Sequence, residues 1–459
     1  MEELAAAVLA RLIHFVETLP DHPASLAGTA PSLTRELVEE MLVPPPEEPG
    51  ELVRLLTRID RVAAGAVETA GPGYLAFIPG GGVFASALAE FYAQVTNRMV
   101  TLSGLAPGLA ALEQSVVDWL ASICGLPRGT SAGLLTTGGS MANLSAVVAA
   151  RHARLGDHLE GGILYVTSQA HHSVMKAARL AGFPGTTVRI VPCTPDLRMD
   201  TDAAREMIAA DRAQGRRPFL LVASAGTTST GTIDPLPELA SLAAEQGLWF
   251  HVDGAYGGMF RLTERGRARL GGTERADSVT LDPHKSLFLP YGTGALVVRD
   301  GRDLRAAHTV VSHYLQDAGS GGLLTDFADL GLELSREFRG LRVWLPLHLY
   351  GVAAFRAALD EKLDLTSVAY DRLSSEPLLE VPWKPDLTVV PFCVRSSERA
   401  SRELLDRINE SRRVVLSRTV VEGRFLLRLC ILSHRTHRDR LEEALDIISA
   451  ASRQVVASG

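Results

Sequence analysis

The chain has 459 residues, 46% of them hydrophobic and 22% charged, with a formal net charge of −7 at pH 7. That length exceeds what one hydrophobic core usually organises, so two or more domains are expected. A mildly acidic chain with no basic stripe makes nucleic acid and anionic membranes poor partners, and no apolar run reaches the length of a membrane span.

The opening MEELAAAVLARLIHF fits an amphipathic helix over 1–18 better than a signal peptide, because charge interrupts its apolar residues. A helix is expected over 33–43. Pro44-Pro45-Pro46-Glu47-Glu48-Pro49-Gly50 breaks it and reads as a connector, and helix resumes over 51–69. GPGYLAFIPGGG, from Gly71 to Gly82, is a glycine-rich loop with Tyr74, Leu75, Phe77 and Ile78 interleaved. Helices are expected near 84–97 and 108–124.

From about residue 131 the rhythm changes. The short runs GLLTT, GILYV, VRIVP, FLLVAS, LWFHVD and SVTLD alternate with helical stretches near 140–154, 171–182, 201–214 and 236–246. Apolar runs of four to six residues separated by helices indicate a mostly parallel sheet covered on both faces. GALVVRD, from Gly294 to Asp300, adds a strand. Residues 335–363 read as helix. Beyond about 370, LTVVPFCVR, RVVLSRTVV and FLLRLCILS read as strands, with helices near 400–411 and 436–452. The expected division is a helical N-terminal segment (1–70), a large α/β domain (71–365) and a small α+β C-terminal domain (366–459). Cys124, Cys193, Cys393 and Cys430 are scattered with no CxxC pair, which reads as buried free thiols in a cytoplasmic protein and gives no metal site.

Ligands of a parallel sheet sit beyond the carboxyl ends of its strands, so the residues after each run carry the interest. LWFHVD ends in Asp253, followed by Gly254-Ala255-Tyr256. SVTLD runs into Pro283-His284-Lys285. GLLTT leads to Gly138-Gly139-Ser140 and a helix, a turn whose free N–H groups suit an anion. GILYVTS leads to Gln169-Ala170-His171. Each feature has a plain alternative: Asp253 and Lys285 as a structural salt bridge, the glycine turn as a helix cap, His171 as a capping residue. Only Lys176, Lys285, Lys362 and Lys384 offer an amine, since arginine supplies the remaining basic residues and its guanidinium stays protonated. Taken together, an anion cup, an aromatic ring, a carboxylate and an amine at the strand ends of one sheet meet the needs of pyridoxal phosphate.

The motifs GYLAFIPGGG, APGLAALEQSVVDWL, TTGGSMANLSA, SQAHHSVMKAA, HVDGAYGG, LDPHKSLFLP and LSREFRGLRVW occur in the order found in the group II pyridoxal-phosphate-dependent decarboxylases, which this chain resembles over nearly its whole length. The resemblance implies fold type I, the aspartate-aminotransferase-like architecture, and a homodimer with active sites at the subunit interface. It makes Lys285 the Schiff-base lysine, Asp253 the partner of the pyridine nitrogen, Ala255 the small residue against the ring and His171 its stacking partner. Gly138, Gly139 and Ser140 match the phosphate turn. Ser224 matches a hydroxyl near the cofactor, and His284 a contact to cofactor or substrate. Tyr314, in SHYLQDAGSGGLL, matches a mobile-loop tyrosine that returns a proton to the α-carbon once CO2 has left. Relatives that form aldehydes tend to carry phenylalanine there.

Two positions depart from the pattern of the aromatic enzymes. Asp282 replaces asparagine near the phosphate and would repel it unless it turns away or pairs with a cation. Gly80 replaces a hydroxyl residue. The substrate-side candidates Tyr74, Phe77, Ile78, Pro79, Gly80 and Thr101 are mostly apolar and bring no cation, which favours an aromatic or bulky apolar amino acid. The reading is a decarboxylase that converts an amino acid to its amine and CO2. An aldehyde-forming oxidative deaminase, an aminotransferase and a non-catalytic dimeric scaffold are the alternatives.

Overall fold

The computed structural model describes residues 1–25, 31–309 and 324–458. They form two compact units, one of Gly82–Asp364 with Pro385–Val389 and one of Met1–Gly81, Leu365–Lys384 and Val390–Gly459.

The first of these units is built on a seven-stranded sheet. Its strands are β1 (Ala132–Thr136), β2 (Gly162–Thr167), β3 (Val188–Val191), β4 (Arg217–Ser224), β5 (Trp249–Gly254), β6 (Ser278–Leu281) and β7 (Gly294–Val298). Their spatial order is β1-β7-β6-β5-β4-β2-β3. Strands β3, β2, β4, β5 and β6 pair in parallel, while β7 runs antiparallel to both β6 and β1. Only β7 is therefore reversed. Every residue of β2, β5, β6 and β7 is buried. A strand covered on both faces needs continuous apolar residues rather than alternation, which is why these runs were visible in the sequence.

The helices Gly139–Leu155, His172–Leu180, Thr201–Ala213 and Leu236–Glu245 join successive strands. Gly139–Leu155 lies across β4, β5, β6 and β7, and its buried face carries Ala142, Ala146, Ala149 and Ala150. Side chains this small let the helix come close to the sheet. The single helix expected over 335–363 is two, Gly340–Tyr350 and Val352–Ser375. Gly351 separates them at φ +76°, a conformation that glycine adopts without a Cβ penalty.

The other unit holds a four-stranded sheet of β8 (Leu379–Glu380), β9 (Val389–Val394), β10 (Ser417–Val421) and β11 (Arg424–Cys430), in the order β10-β11-β9-β8. The helices Glu398–Glu410 and Arg438–Ser458 pack on it, and Phe392, Leu404, Ile408, Leu429 and Leu445 are fully buried in the core. Leu75 joins that core. The glycine-rich segment reaches it through backbone hydrogen bonds from Val415 N–H to Gly73 O (2.9 Å), Leu75 N–H to Val415 O (3.0 Å) and Cys430 N–H to Leu75 O (2.9 Å). Gly73 is needed there, since a Cβ would stand 2.2 Å from the Arg413 carbonyl oxygen. The four cysteines are free, and Cys193 is only half-buried where full burial was expected.

Candidate active site

The strands that run in one direction deliver their C-terminal residues to one edge of the sheet. Gly138–Ser140 follows β1, His171 follows β2, Ser224 ends β4, Asp253 lies at the end of β5, and Asp282 to Lys285 follow β6. The register sets Ser224 opposite Asp253 and Asp253 opposite Thr280.

Gly138 is the N-cap of the helix Gly139–Leu155 and offers no side-chain cap, so the first N–H groups of that helix are left for an anion. Thr136 Oγ1 donates to Gly138 O (3.0 Å) and accepts from Gly138 N–H (3.3 Å), which fixes the turn. The turn is tightly enclosed. A Cβ on Gly139 would lie 2.9 Å from Asp282 Oδ2 and 3.1 Å from Ala255 Cβ. A Cβ on Gly294, at the start of β7, would lie 2.5 Å from Gly138 Cα.

Lys285 sits on the short helix Pro283–Ser286 with its Nζ 2.8 Å from Asp282 Oδ2. The salt bridge between Lys285 and Asp253 that the sequence left open does not form; Asp282 takes that place. Asp282 is 1% exposed, and its Oδ1 is buried without a hydrogen-bond partner among the described residues. The His284 ring donates from Nδ1 to the Thr293 carbonyl oxygen (2.8 Å), and burial pushes its pKa down.

Asp253 accepts from Ala255 N–H at Oδ1 (3.1 Å) and from Asn143 Nδ2 at Oδ2 (2.9 Å). His171 is the N-cap of the helix His172–Leu180, with Nδ1 2.7 Å from Ser173 Oγ, and burial lowers its pKa. Ser224 is held through its backbone, its N–H donating to Asp234 Oδ2 (2.7 Å). Burial raises the Asp234 carboxyl to about 6. Thr101 is fully buried, and its hydroxyl finds no partner among the described residues.

Tyr74, Phe77, Ile78, Pro79 and Gly80 belong to the unit with the four-stranded sheet. Tyr74 packs with Ala24, Ala76 and Val415. Phe77 is 64% exposed at φ 51°, with its N–H bonded to Ser417 Oγ (3.0 Å). Pro79 and Gly80 are buried and Ile78 is partly so. Tyr314 lies outside the described residues.

Two further buried polar residues beside the site, Asn143 and His251, stand outside the expectations drawn from the sequence. Asn143 is a buried amide on the apolar face of its helix, and His251 a buried imidazole two residues before Asp253 on the same face of β5. The signal was there: a polar side chain in an otherwise apolar stripe must find partners.

The sequence model of the pyridoxal-dependent decarboxylase conserved domain matches residues 34–395. This chain belongs to the pyridoxal-dependent decarboxylase family. An aromatic-L-amino-acid decarboxylase of Bacillus atrophaeus is 33% identical to this decarboxylase, over 100% of the chain and 96% of the relative. A phenylacetaldehyde synthase of Arabidopsis thaliana is 27% identical over 95% of the chain and 92% of its own length. The crystal structure of Oryza sativa TDC with PLP and tryptamine superposes with a TM-score of 0.93 at 28% identity, covering 99% of this chain and 97% of that one.

The decarboxylase is a carboxy-lyase of fold type I that uses pyridoxal phosphate, and its residues fit that group. The uncapped N-terminus of a 17-residue helix matches a phosphate, and Lys285 brings an amine on a side chain that is 26% exposed. Asp253 keeps acceptor capacity on both oxygens after the two hydrogen bonds described. Among the described residues, no group of histidine, cysteine and carboxylate side chains is arranged to hold a metal, and no helix is long and apolar enough to cross a membrane.

Proposed function

We propose that the enzyme decarboxylates an aromatic L-amino acid to the corresponding amine at the sheet edge that carries Lys285. The observation that carries this reading is the gathering of the open helix N-terminus, Lys285 and Asp253 at the ends of strands in one sheet. Bound pyridoxal phosphate supplies an aldehyde for the substrate amine and a protonated pyridine ring that takes up the electron pair released as CO2 leaves.

The chain's own residues have distinct tasks. The N–H groups at Gly139 and Ser140 hold the phosphate. Asp253 holds the proton on the pyridine nitrogen. His171, whose pKa burial lowers, and the small residue Ala255 would flank the ring. Asp282 Oδ2 steadies the Lys285 ammonium at 2.8 Å and is placed to accept its proton when the amine must become a nucleophile. Ser224 and His284 border the same edge. Tyr314 delivers the proton that completes the amine.

Tyr74, Phe77, Ile78, Pro79, Gly80 and Thr101 are assigned to substrate recognition. Phe77 is the exposed aromatic of the set, and none of the six carries a charge. The aromatic preference is also supported by the name of the Bacillus relative. A homodimer is proposed from the helix Phe84–Thr96, which exposes Leu88, Phe91, Tyr92 and Val95 on its surface. A cytoplasmic location is proposed from the four free thiols.

Incubation of the holoenzyme with tryptophan, tyrosine, phenylalanine, 3,4-dihydroxyphenylalanine, leucine and glutamate, with CO2, amine, aldehyde and peroxide quantified, tests the proposal. One amine per CO2 from an aromatic substrate is expected. Tyr314→Phe is expected to divert product toward aldehyde, ammonia and peroxide. Aldehyde and peroxide from the unaltered enzyme would instead assign it to the oxidative reaction, and turnover of glutamate alone would overturn the aromatic assignment.

A further inference from the structure

We infer that Asn143 is a positioning residue that fixes where the protons lie on the two side chains assigned to the cofactor ring, Asp253 and His171. The inference rests on that assignment and extends it to a buried hydrogen-bond relay with a single allowed direction.

The direction follows from groups that can only donate or only accept. Asp253 is a carboxylate, so the Asn143 atom 2.9 Å from its Oδ2 must be the amide nitrogen. Asn143 Oδ1 therefore faces the other way, where Thr280 Oγ1 donates to it at 2.7 Å and His251 Nε2 lies 3.0 Å from it. An amide oxygen has no hydrogen, so His251 must carry its proton on Nε2. Burial depresses the His251 pKa to about 4, which leaves the ring one proton at neutral pH and makes Nδ1 an acceptor. Nδ1 lies 2.8 Å from Ser278 Oγ, and Ser278 Oγ in turn receives the indole N–H of Trp249 at 2.8 Å. Every proton from Trp249 through Ser278, His251 and Asn143 thus points toward Asp253.

The second hydrogen of Asn143 Nδ2 goes to Ser173 Oγ at 2.9 Å. The Ser173 backbone N–H, which can only donate, points at His171 Nδ1 at 3.3 Å, so Nδ1 is an acceptor and the Ser173 hydroxyl donates to it at 2.7 Å. His171 is therefore also neutral with its proton on Nε2, and that N–H has no protein acceptor among the described residues. The groups whose charges act on His171 are Asp253, Asp282, Lys285 and His172, and desolvation outweighs them in lowering its pKa.

Asn143 is 1% exposed and uses both donors and both acceptor sites of its amide in this network. A fully satisfied buried network has one low-energy arrangement, and reversing any link leaves a buried donor facing a donor or an acceptor facing an acceptor. The consequence at the ring is a fixed Asp253 carboxyl group with lone pairs to spare and a stacking imidazole that brings no positive charge. The N–H left on His171 is available to whatever occupies the site.

Histidine-selective 15N labelling, read by NMR on the holoenzyme and on cofactor-stripped protein, tests the relay. The expected result is a neutral ring protonated at Nε2 for both His171 and His251, in both samples. Asn143→Asp keeps the shape but removes both donors and sets a carboxylate against Asp253. It is expected to move the His251 and His171 signals and to weaken retention of pyridoxal phosphate by about ten- to a hundredfold, the scale of losing a buried hydrogen bond to a charged group. A proton on Nδ1 of either histidine in the parent protein would overturn the relay, whether or not the variant folds. So would an Asn143→Asp protein whose histidine signals match the parent's. Failure of the parent protein to bind the cofactor would overturn the site assignment instead, and the stripped sample would still report the direction of the relay.

Discussion

Lys285 Nζ lies 2.8 Å from Asp282 Oδ2, and that carboxylate oxygen is also the atom nearest to where a Cβ on Gly139 would stand, at 2.9 Å. One side chain thus serves as counter-ion to the reactive amine and as neighbour to the turn assigned to the phosphate. The two tasks conflict, because a carboxylate beside a phosphate costs energy.

Asp282→Asn is therefore expected to tighten retention of pyridoxal phosphate. Removing one like charge in a partly enclosed site is worth on the order of 1–2 kcal/mol, about five- to thirtyfold in Kd. Pyridoxal without its phosphate should show no such gain. Equilibrium dialysis with both compounds measures the difference, and equal effects on the two would place Asp282 away from the phosphate.

Gly294→Ala probes the enclosure of the same turn. Its Cβ would meet Gly138 Cα at 2.5 Å and Asp282 Oδ1 at 2.8 Å, and the first of these is backbone that cannot swing aside. Overpacking of this kind costs about 1–3 kcal/mol. Calorimetry should show a lower Tm and a smaller rise in Tm on adding pyridoxal phosphate. A variant that keeps the full rise would show that the turn does not hold the phosphate.

The sequence displayed the sheet because strands buried on both faces are written as nearly unbroken apolar runs, as in GALVV of β7. It displayed Lys285, Asp253 and His171 because Asp253 ends such a run and the other two follow one closely. It did not display the Lys285–Asp282 pair. Which carboxylate meets the amine depends on where the short helix Pro283–Ser286 turns the lysine, not on strand order. Asn143 was hidden for a related reason, since its partners come from residues 30 to 137 positions away and only the folded sheet collects them. The alliance of Gly73 and Leu75 with Val415 spans more than 300 positions and leaves no local trace.

His251 gives the fold a pH dependence with a definite sign. Its pKa is depressed from 6.5 to about 4 because burial penalises the imidazolium. A histidine kept neutral in the fold contributes stability above its unfolded pKa, and that stability is lost as pH falls through 6.5 toward 4 because the unfolded chain binds the proton more readily. The full effect is about 3 kcal/mol. Asp234, raised to about 6, works in the opposite sense, so the comparison must be made between proteins that share it. His251→Gln should be less stable than the parent at neutral pH, and the gap should narrow on acidification. Denaturant unfolding at several pH values measures the gap; a constant gap would mean that folding leaves the His251 pKa unshifted, and a widening one that folding raises it, and either would contradict the buried neutral ring.

Of the four lysines, Lys285 alone is assigned to bear the cofactor. Borohydride reduction of the holoenzyme, followed by proteolysis and mass spectrometry, fixes the cofactor to whichever amine it has joined. A phosphopyridoxyl group is expected on the peptide containing Lys285 and none on those containing Lys176, Lys362 or Lys384. A tag on any of those three, or no tag in protein that retains pyridoxal phosphate, would contradict it.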